Sequence, residues 1–227
     1  MSSMRTISIM ILLSVFMADL SPSQEFPVLS ETYRLQRLQP PDQRVRMVLD
    51  TDTFNEVDDQ FALVYALLST EKIKLEAVYA APFHNSRSTG PGDGMEKSYQ
   101  EITKILDMMG KSAEGFAFRG SNDYLRDVEQ PHRSDAALDL IRRALNENQN
   151  EPLYVVSVGC ITNIASAILI EPRIIGQIVI VWLGGNALYW PTQREFNLRQ
   201  DILAARVVFD SGVPFVTMPL FQSYSTI

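Results

Sequence analysis

The chain has 227 residues, of which 46% are hydrophobic and 21% are charged, an ordinary balance for one globular domain with a sizeable core. Its net charge is −7, and its Lys and Arg residues form no cluster longer than a pair, which argues against nucleic acid or an anionic membrane as a partner. The single cysteine, Cys160, and the two histidines, His84 and His132, exclude a disulfide framework, a cysteine-rich zinc site and a histidine-rich metal site.

The N-terminal segment differs in composition from the rest of the chain. Residues 6–18 are almost wholly apolar, follow one positive charge and precede a short polar stretch. This apolar run is too short to span a membrane and is typical of a secretory signal. We expect residues 1–24 to be a signal peptide, which would make the protein secreted or periplasmic. A start without a targeting role, in a cytoplasmic protein, is the alternative. Residues 25–43 are then an N-terminal extension, and residues 44–227 form the main domain.

From residue 44 onward, short apolar runs alternate with helical patterns, which predicts βαβ units. The predicted strands are Val45–Leu49, Leu75–Ala80, Phe116–Phe118, Leu153–Val158, Ile178–Leu183 and Phe215–Met218. The predicted helices are Asp59–Ser69, Met95–Met109, Asp135–Asn148, Asn163–Ile170 and Ile202–Ser211. The predicted fold class is therefore α/β, with an open, mainly parallel sheet and helices on both faces.

Residues typical of helix ends support these helices. Gly110 and Gly212 stand where C-terminal caps are expected. Ser134, Thr162 and Asp201 stand where N-terminal caps are expected.

An acidic run joins the first predicted strand to the first helix. It contains Asp50, Asp52, Glu56, Asp58 and Asp59. Because these carboxylates would repel one another, a hard divalent cation such as calcium or magnesium is the usual remedy. A solvated loop with helix-capping aspartates is the alternative. It suits Asp58 and Asp59, but not Asp50 and Asp52 at the exit of a strand. The run therefore predicts a cation site.

Other polar or glycine-containing segments also follow predicted strands. His84 and Asn85 follow the second strand, Gly159 follows the fourth, and Asn186 follows the fifth. In a parallel α/β sheet, ligands bind outside the carboxyl ends of the strands. We therefore expect these segments and the acidic run to meet at one edge of the sheet. His84 could be an acid, a base or a surface histidine.

Glu195 and Asn197 form a second polar pair. In an extended segment, residues two apart lie on the same side, and a carboxylate with an amide can bind neighbouring hydroxyls of a sugar. A solvated loop before a helix is the alternative. Tyr189 and Trp190, in the preceding loop, could stack on a ring or cover the edge of the core.

Four blocks together resemble inosine-uridine-type nucleoside hydrolases, in the variant with a longer acidic motif. These blocks are Asp50-Thr-Asp52 with Asp58-Asp59, Val158-Gly-Cys-Ile-Thr-Asn163, Leu183-Gly-Gly185 and Glu195-Phe-Asn197. The resemblance spans about residues 44 to 220. It implies a calcium-binding α/β enzyme, with magnesium less expected, that cleaves the N-glycosidic bond of ribonucleosides to ribose and free base.

The resemblance also implies roles for single residues. Asp52 resembles the metal-bound general base that activates water, Asp59 resembles a second metal ligand, and Val158 resembles a ligand through its backbone carbonyl. The implied mechanism is dissociative, with an oxocarbenium-like sugar.

The resemblance also implies which residues bind the ribose of the substrate. Asp58, Asn85, Glu195 and Asn197 match residues that hold its hydroxyls. The implied partner is thus a small-molecule ribonucleoside, with neither nucleic acid nor a membrane span involved. The oligomeric state is open, and a homo-oligomer is one alternative.

Besides the longer acidic motif, the sequence departs from the family pattern in two respects. Phe54 stands where a small glycine is usual. Family members also continue further, with another aspartate ligand and often a histidine near the leaving base, so we expect the C-terminal part of the domain to be missing here. A non-catalytic relative that binds a metal or ribose is therefore one alternative.

A phosphohydrolase of the haloacid dehalogenase type is a weaker alternative. It is suggested by the run Val48-Leu-Asp50-Thr-Asp52-Thr53, in which Asp50 would be the nucleophile beside magnesium. That scheme leaves the pair Asp58-Asp59 and the segment Glu195-Phe-Asn197 without a role.

Overall fold

The computed structural model describes residues 26–146 and 151–220. Its strands are β1 (Val45–Thr51), β2 (Ile73–Ala80), β3 (Ala117–Arg119), β4 (Leu153–Ser157), β5 (Ile178–Leu183) and β6 (Phe215–Met218). They form one six-stranded sheet in the order β3-β2-β1-β4-β5-β6, and every neighbouring pair is parallel. The expected signal peptide, residues 1–24, lies outside the described residues. Within the described ranges, no helix is long and apolar enough to cross a membrane.

The helices lie on both faces of the sheet, as predicted. They are α1 (Glu31–Arg37), α2 (Val57–Leu68), α3 (Pro91–Met108), α4 (Asp135–Ala144), α5 (Thr162–Ile170), α6 (Phe196–Gln200) and α7 (Ile202–Asp210), with a 3-10 turn at Pro172–Gly176. One apolar core lies between α2, α3 and the sheet, around Leu63 and Ile102. The other lies between the opposite face and α4, α5 and α7, around Leu140 and Ile164. The α/β prediction is confirmed.

Several local predictions are corrected by the structure. The prediction that Thr162 caps α5 is wrong: Ile161 is the N-cap, and the Thr162 hydroxyl donates to Asp201 Oδ2 at 2.6 Å instead. The third predicted helix, Asp135–Asn148, ends at Ala144. Helices α1 and α6 were not predicted, because each is short and carries no clear apolar stripe.

Other cap predictions are confirmed. The side chains of Ser134 and Asp201 accept hydrogen bonds from the first turns of α4 and α7. Gly110 and Gly212 adopt φ values of 68° and 74° just after α3 and α7, in the left-handed region that glycine adopts readily at helix ends.

A buried ion pair ties β1 to β2 away from the carboxyl ends of the strands. The Arg46 guanidinium donates to both oxygens of Glu76 at 3.0 and 3.1 Å and to the Arg143 carbonyl at 3.1 Å. The register of β1 with β2 shifts between Met47 and Val48, which leaves Glu76 as the extra residue of a bulge. Burial opposes ionisation of Glu76, but hydrogen bonds from Arg46 and Lys74 lower the pKa of Glu76 below its ordinary value.

Replacing Glu76 with glutamine should lower the free energy of unfolding by about 3 kcal/mol at pH 7, because the buried Arg46 guanidinium loses its counter-charge. The measurement is urea unfolding of both proteins. Since the folded-state pKa of Glu76 is lowered, its contribution is present above about pH 4.5 and is lost as the pH falls through the lowered pKa. The difference between the two proteins should therefore shrink in acid.

The matched control is Glu31→Gln, which breaks the exposed pair with Arg34 on α1. Exposed pairs contribute about 0 to 1 kcal/mol, so this variant should unfold nearly as the parent does. Equal losses in the two variants would contradict a special contribution of the buried pair.

Candidate active site

The order of strands places a crevice between β1 and β4. The chain leaves β1 towards α2 on one face of the sheet and leaves β4 towards α5 on the other. In open α/β sheets such a reversal is where ligands bind, outside the carboxyl ends of the strands. Asp50 pairs with Ser157 in the register of β1 and β4, and Asp52 and Gly159 follow directly. The expected meeting of polar segments at this edge is confirmed for these two strands.

Asp50 lies within β1 and is fully buried, not at the strand exit as expected. Asn163 Nδ2 donates to its Oδ2 at 2.8 Å, and Ser157 Oγ donates to its Oδ1 at 3.3 Å. Burial raises the pKa of Asp50 to about 7. Asp50 thus joins β1 to β4 and α5, and it has no exposed oxygen with which to attack a phosphate. This environment argues against the phosphohydrolase alternative.

Asp52 lies at the base of the crevice and is only 1% exposed. Asn55 closes a turn over it, with its backbone N–H donating to the Asp52 carbonyl at 2.6 Å and its Nδ2 donating to Oδ2 at 3.0 Å. Gly159 packs against its other side, where an added Cβ would lie 3.0 Å from Asp52 Oδ1. Glycine at 159 therefore allows the backbone after β4 to approach this carboxylate.

Asp59 is a second buried carboxylate beside Asp52. It lies in the first turn of α2 and accepts a hydrogen bond from Thr51 Oγ1 at 2.7 Å. Burial raises the pKa of Asp59 to about 7. Burial and then the charge of Asp59 raise the pKa of Asp52 well above its ordinary value. The charge of Asp59 thus makes Asp52 harder to ionise, and a bound cation would reverse that effect.

A cluster of carboxylates at this edge could hold a metal ion. Oxygens of Glu56, Asp58 and Asp59 lie within 4.8 Å of one another. Sequence reasoning assigned no ligand role to Glu56, which caps α2 without a side-chain hydrogen bond. Burial raises the pKa of Glu56, and the nearby charges of Asp58 and Glu195 raise it further. Acidic side chains therefore lie at the rim of the crevice as well as at its base.

Asn197 joins the ends of β4 and β5. Its Nδ2 donates to the carbonyls of Val158 and Leu183, each at 2.9 Å. Both hydrogens of the amide are thereby used, so only the acceptor Oδ1 remains for a ligand. The Val158 carbonyl keeps a second lone pair, which is compatible with the ligand role that its sequence position suggests.

The prediction that Glu195 and Asn197 lie in an extended segment is wrong. Residues 196–200 form α6, and Glu195 is its N-cap. The carboxylate accepts the backbone N–H groups of Asn197 at 2.9 Å, Leu198 at 2.9 Å and Gly185 at 2.8 Å. These bonds explain why a short helix forms here. They leave one acceptor position, on Oε1, for another donor.

Two successive hydrogen bonds connect Asn85 to Asp52. Its Nδ2 donates to Asn55 Oδ1 at 2.7 Å, and Asn55 in turn donates to Asp52. The Arg87 guanidinium donates to the Asn55 carbonyl and lies 5.3 Å from the Phe54 ring centroid. Phe54 has no positive φ, so the turn accommodates this residue in place of the usual glycine.

Asp58 is exposed in the first turn of α2. In the loop after β5, Tyr189 is 71% exposed and Trp190 is 37% exposed.

A further polar group at this edge had no distinctive sequence pattern. Gln200 Oε1, at the end of α6, accepts hydrogen bonds from the His84 N–H at 2.8 Å and from Tyr124 Oη at 2.6 Å. The three residues lie 40 and 76 positions apart. Only the parallel topology brings the exits of β2, β3 and β5 together, and sequence reasoning therefore missed the contact.

A comparison with models of known protein families identifies the family of the chain. The family model described as inosine-uridine preferring nucleoside hydrolase matches residues 47–225. The chain belongs to this family. The matched range contains every residue of the acidic run and the segments after β2, β4 and β5 described above.

The chain is also similar to curated proteins, at low sequence identity. The pyrimidine-specific ribonucleoside hydrolase RihA of Klebsiella pneumoniae (strain 342) is 26% identical over 193 residues, covering 75% of this chain and 58% of that protein. The protein of the same name from Escherichia coli O7:K1 is 25% identical with the same coverage. The chain thus spans less than two thirds of the length of these relatives.

Solved structures share the fold. A purine-preferring ribonucleoside hydrolase from Gardnerella vaginalis superposes with a TM-score of 0.57 at 24% identity, covering 77% of this chain and 60% of that one. The type III effector protein XopQ, complexed with adenosine diphosphate ribose, superposes with a TM-score of 0.59 at 18% identity, covering 84% and 63%.

Proposed function

We propose that the protein is a metal-dependent hydrolase that cleaves the N-glycosidic bond of ribonucleosides to give ribose and free base. The observation that carries the proposal is the buried Asp52, placed beside Asp59 and under Gly159 at the reversal point of the sheet. Family membership supports the reaction class, and the curated relatives are named as ribonucleoside hydrolases.

The donor set fits a calcium ion. Asp52, Asp59 and the Val158 carbonyl offer only hard oxygen atoms, and buried carboxylates with raised pKa values are stabilised by a divalent cation. Glu56 adds negative charge at the rim. When bound, calcium would supply positive charge that favours deprotonation of water.

Asp52 is the proposed general base. Asn55 holds its carboxylate in one orientation, and a bound cation would favour the ionised form that can accept a proton. Asp52 takes a proton from the water that attacks the anomeric carbon. The C–N bond breaks with its electron pair on the nucleobase, which takes a proton from solvent as it leaves, while positive charge develops on the sugar. The surrounding carboxylates stabilise that positive charge.

The ribose hydroxyls are proposed to bind mainly to acceptors. Asn197 keeps only Oδ1 and Glu195 keeps one position on Oε1, as their other groups are used within the protein. Asp58 and Asn85 complete the proposed set. Hydroxyl groups donate to such acceptors, so the arrangement suits neighbouring hydroxyls of a sugar.

The test is release of ribose from uridine, cytidine and inosine, measured as reducing sugar, with added calcium or after treatment with a chelator. We expect release with calcium and its loss after chelation, restored by excess calcium. Release that is equal in all samples, including a sample without protein, would refute the proposed function.

A non-catalytic relative that binds metal or ribose is the second candidate, because most hydrogen-bonding capacity of Glu195 and Asn197 is used within the protein. Calorimetry with calcium and with ribose distinguishes the two. Binding without turnover favours this candidate, whereas calcium-dependent hydrolysis excludes it.

A further inference from the structure

The side-chain amide of Gln200 has a fixed orientation. The backbone N–H of His84 can only donate, so the Gln200 atom that it meets at 2.8 Å must be the oxygen. Tyr124 Oη donates to the same oxygen at 2.6 Å. The amide nitrogen Nε2 must therefore point the other way.

Nε2 of Gln200 is buried and has no hydrogen-bond partner among the residues that the structure describes. A buried donor without an acceptor destabilises a fold, so a group of this kind calls for an explanation. A ligand that brings its own acceptor is one explanation, provided that the group faces a ligand site.

The position of Gln200 places it at the crevice. Gln200 ends α6, the helix that begins with the ribose-binding candidates Glu195 and Asn197. His84 precedes Asn85, which is linked through Asn55 to Asp52. The Leu125 N–H, next to Tyr124, and the Thr162 hydroxyl, three residues after Gly159, both donate to Oδ2 of Asp201, the residue after Gln200.

We propose that Gln200 recognises the nucleobase, with Nε2 donating to a carbonyl oxygen of the base, and that Tyr124 and the His84 N–H hold the amide in place for this contact. The inference rests on the proposed hydrolase function. Nε2 can only donate, whereas the remaining groups of Glu195 and Asn197 are acceptors suited to sugar hydroxyls. A carbonyl, as in uracil, cytosine and hypoxanthine, is the complementary group.

The test compares uridine with p-nitrophenyl ribofuranoside, which carries the same sugar but no nucleobase carbonyl. The variant is Gln200→Met, which keeps the length of the side chain and removes the amide. We expect the ratio of kcat/KM for uridine to kcat/KM for the aryl riboside to fall about tenfold, the size of one neutral hydrogen bond. The matched control is Gln177→Met, at the opposite edge of the sheet, which should keep the parental ratio.

A second variant tests the support of the amide. Tyr124→Phe removes one of the two donors to Gln200 Oε1 and should lower the same ratio by about threefold, since the His84 N–H still holds the oxygen. A ratio that stays at the parental value in Gln200→Met would overturn the inference, as would equal losses on both substrates.

Binding measurements separate this inference from the proposed function. If the parent protein cleaves neither substrate, the hydrolase proposal fails, and calorimetry with uridine and with ribose still decides the role of Gln200. If Gln200→Met binds uridine about tenfold more weakly than the parent protein does and binds ribose with the same affinity, nucleobase recognition is supported. Parental uridine affinity in Gln200→Met, or no uridine binding by the parent protein, refutes it.

Discussion

Asp52→Asn is expected to lower kcat/KM for uridine by about 10³-fold, within the range that general bases contribute. An asparagine oxygen can still accept the hydrogen bond from Asn55, so the turn after β1 should persist. The amide cannot take a proton from water, however, and it removes one of the proposed metal ligands. The measurement is steady-state hydrolysis at saturating calcium, together with a thermal unfolding curve that shows the variant to be folded.

Asp50→Asn is the matched control for this prediction, because it makes the same change two residues earlier. Asparagine can accept from Asn163 and donate to Ser157, the two partners of the buried Asp50. We expect its hydrolytic activity to stay within a few-fold of the parent. The reverse pattern, with activity lost in Asp50→Asn and kept in Asp52→Asn, would assign the chemistry to Asp50 and refute the proposed base.

Much of the fold could be predicted from the sequence because its strands are short apolar runs. β5 and β6 have the predicted bounds, Ile178–Leu183 and Phe215–Met218. β1 extends two residues beyond its prediction, through Asp50 and Thr51. Those polar side chains find buried partners in Ser157 and Asp59, contacts between elements that hydrophobic patterning cannot show.

The site was predicted less completely, for a physical reason. The types of residue at the strand ends pointed to the correct edge of the sheet, but not to what each side chain contacts. Glu195 shows the difference: its sequence suggested a sugar ligand, whereas most of its acceptor capacity is used by backbone N–H groups. Gln200 has an ordinary sequence context, and only the folded chain leaves its Nε2 buried without an acceptor among the described residues.

Metal binding connects the electrostatics of the crevice to its stability. Asp52 and Asp59 are both buried and both have raised pKa values. The ionised pair is unfavourable in the protein alone, so a cation that binds only the folded state should stabilise it. At a calcium concentration of about 100 times Kd, this stabilisation is about 2.7 kcal/mol. The melting temperature of the parent protein should therefore rise with added calcium.

Asp59→Asn is expected to weaken calcium binding by about 100-fold, because it removes a carboxylate from a site whose affinity depends on ligand charge. The amide can still accept the Thr51 hydrogen bond, so α2 should keep its position. The measurements are calorimetric titration with calcium and the calcium-induced shift in melting temperature, which should largely disappear. Asp107→Asn, an exposed change on α3, is the control and should bind calcium as the parent does. Parental calcium affinity in Asp59→Asn would exclude Asp59 as a ligand and would move the cation to other carboxylates of the rim, with Glu56 the first to test.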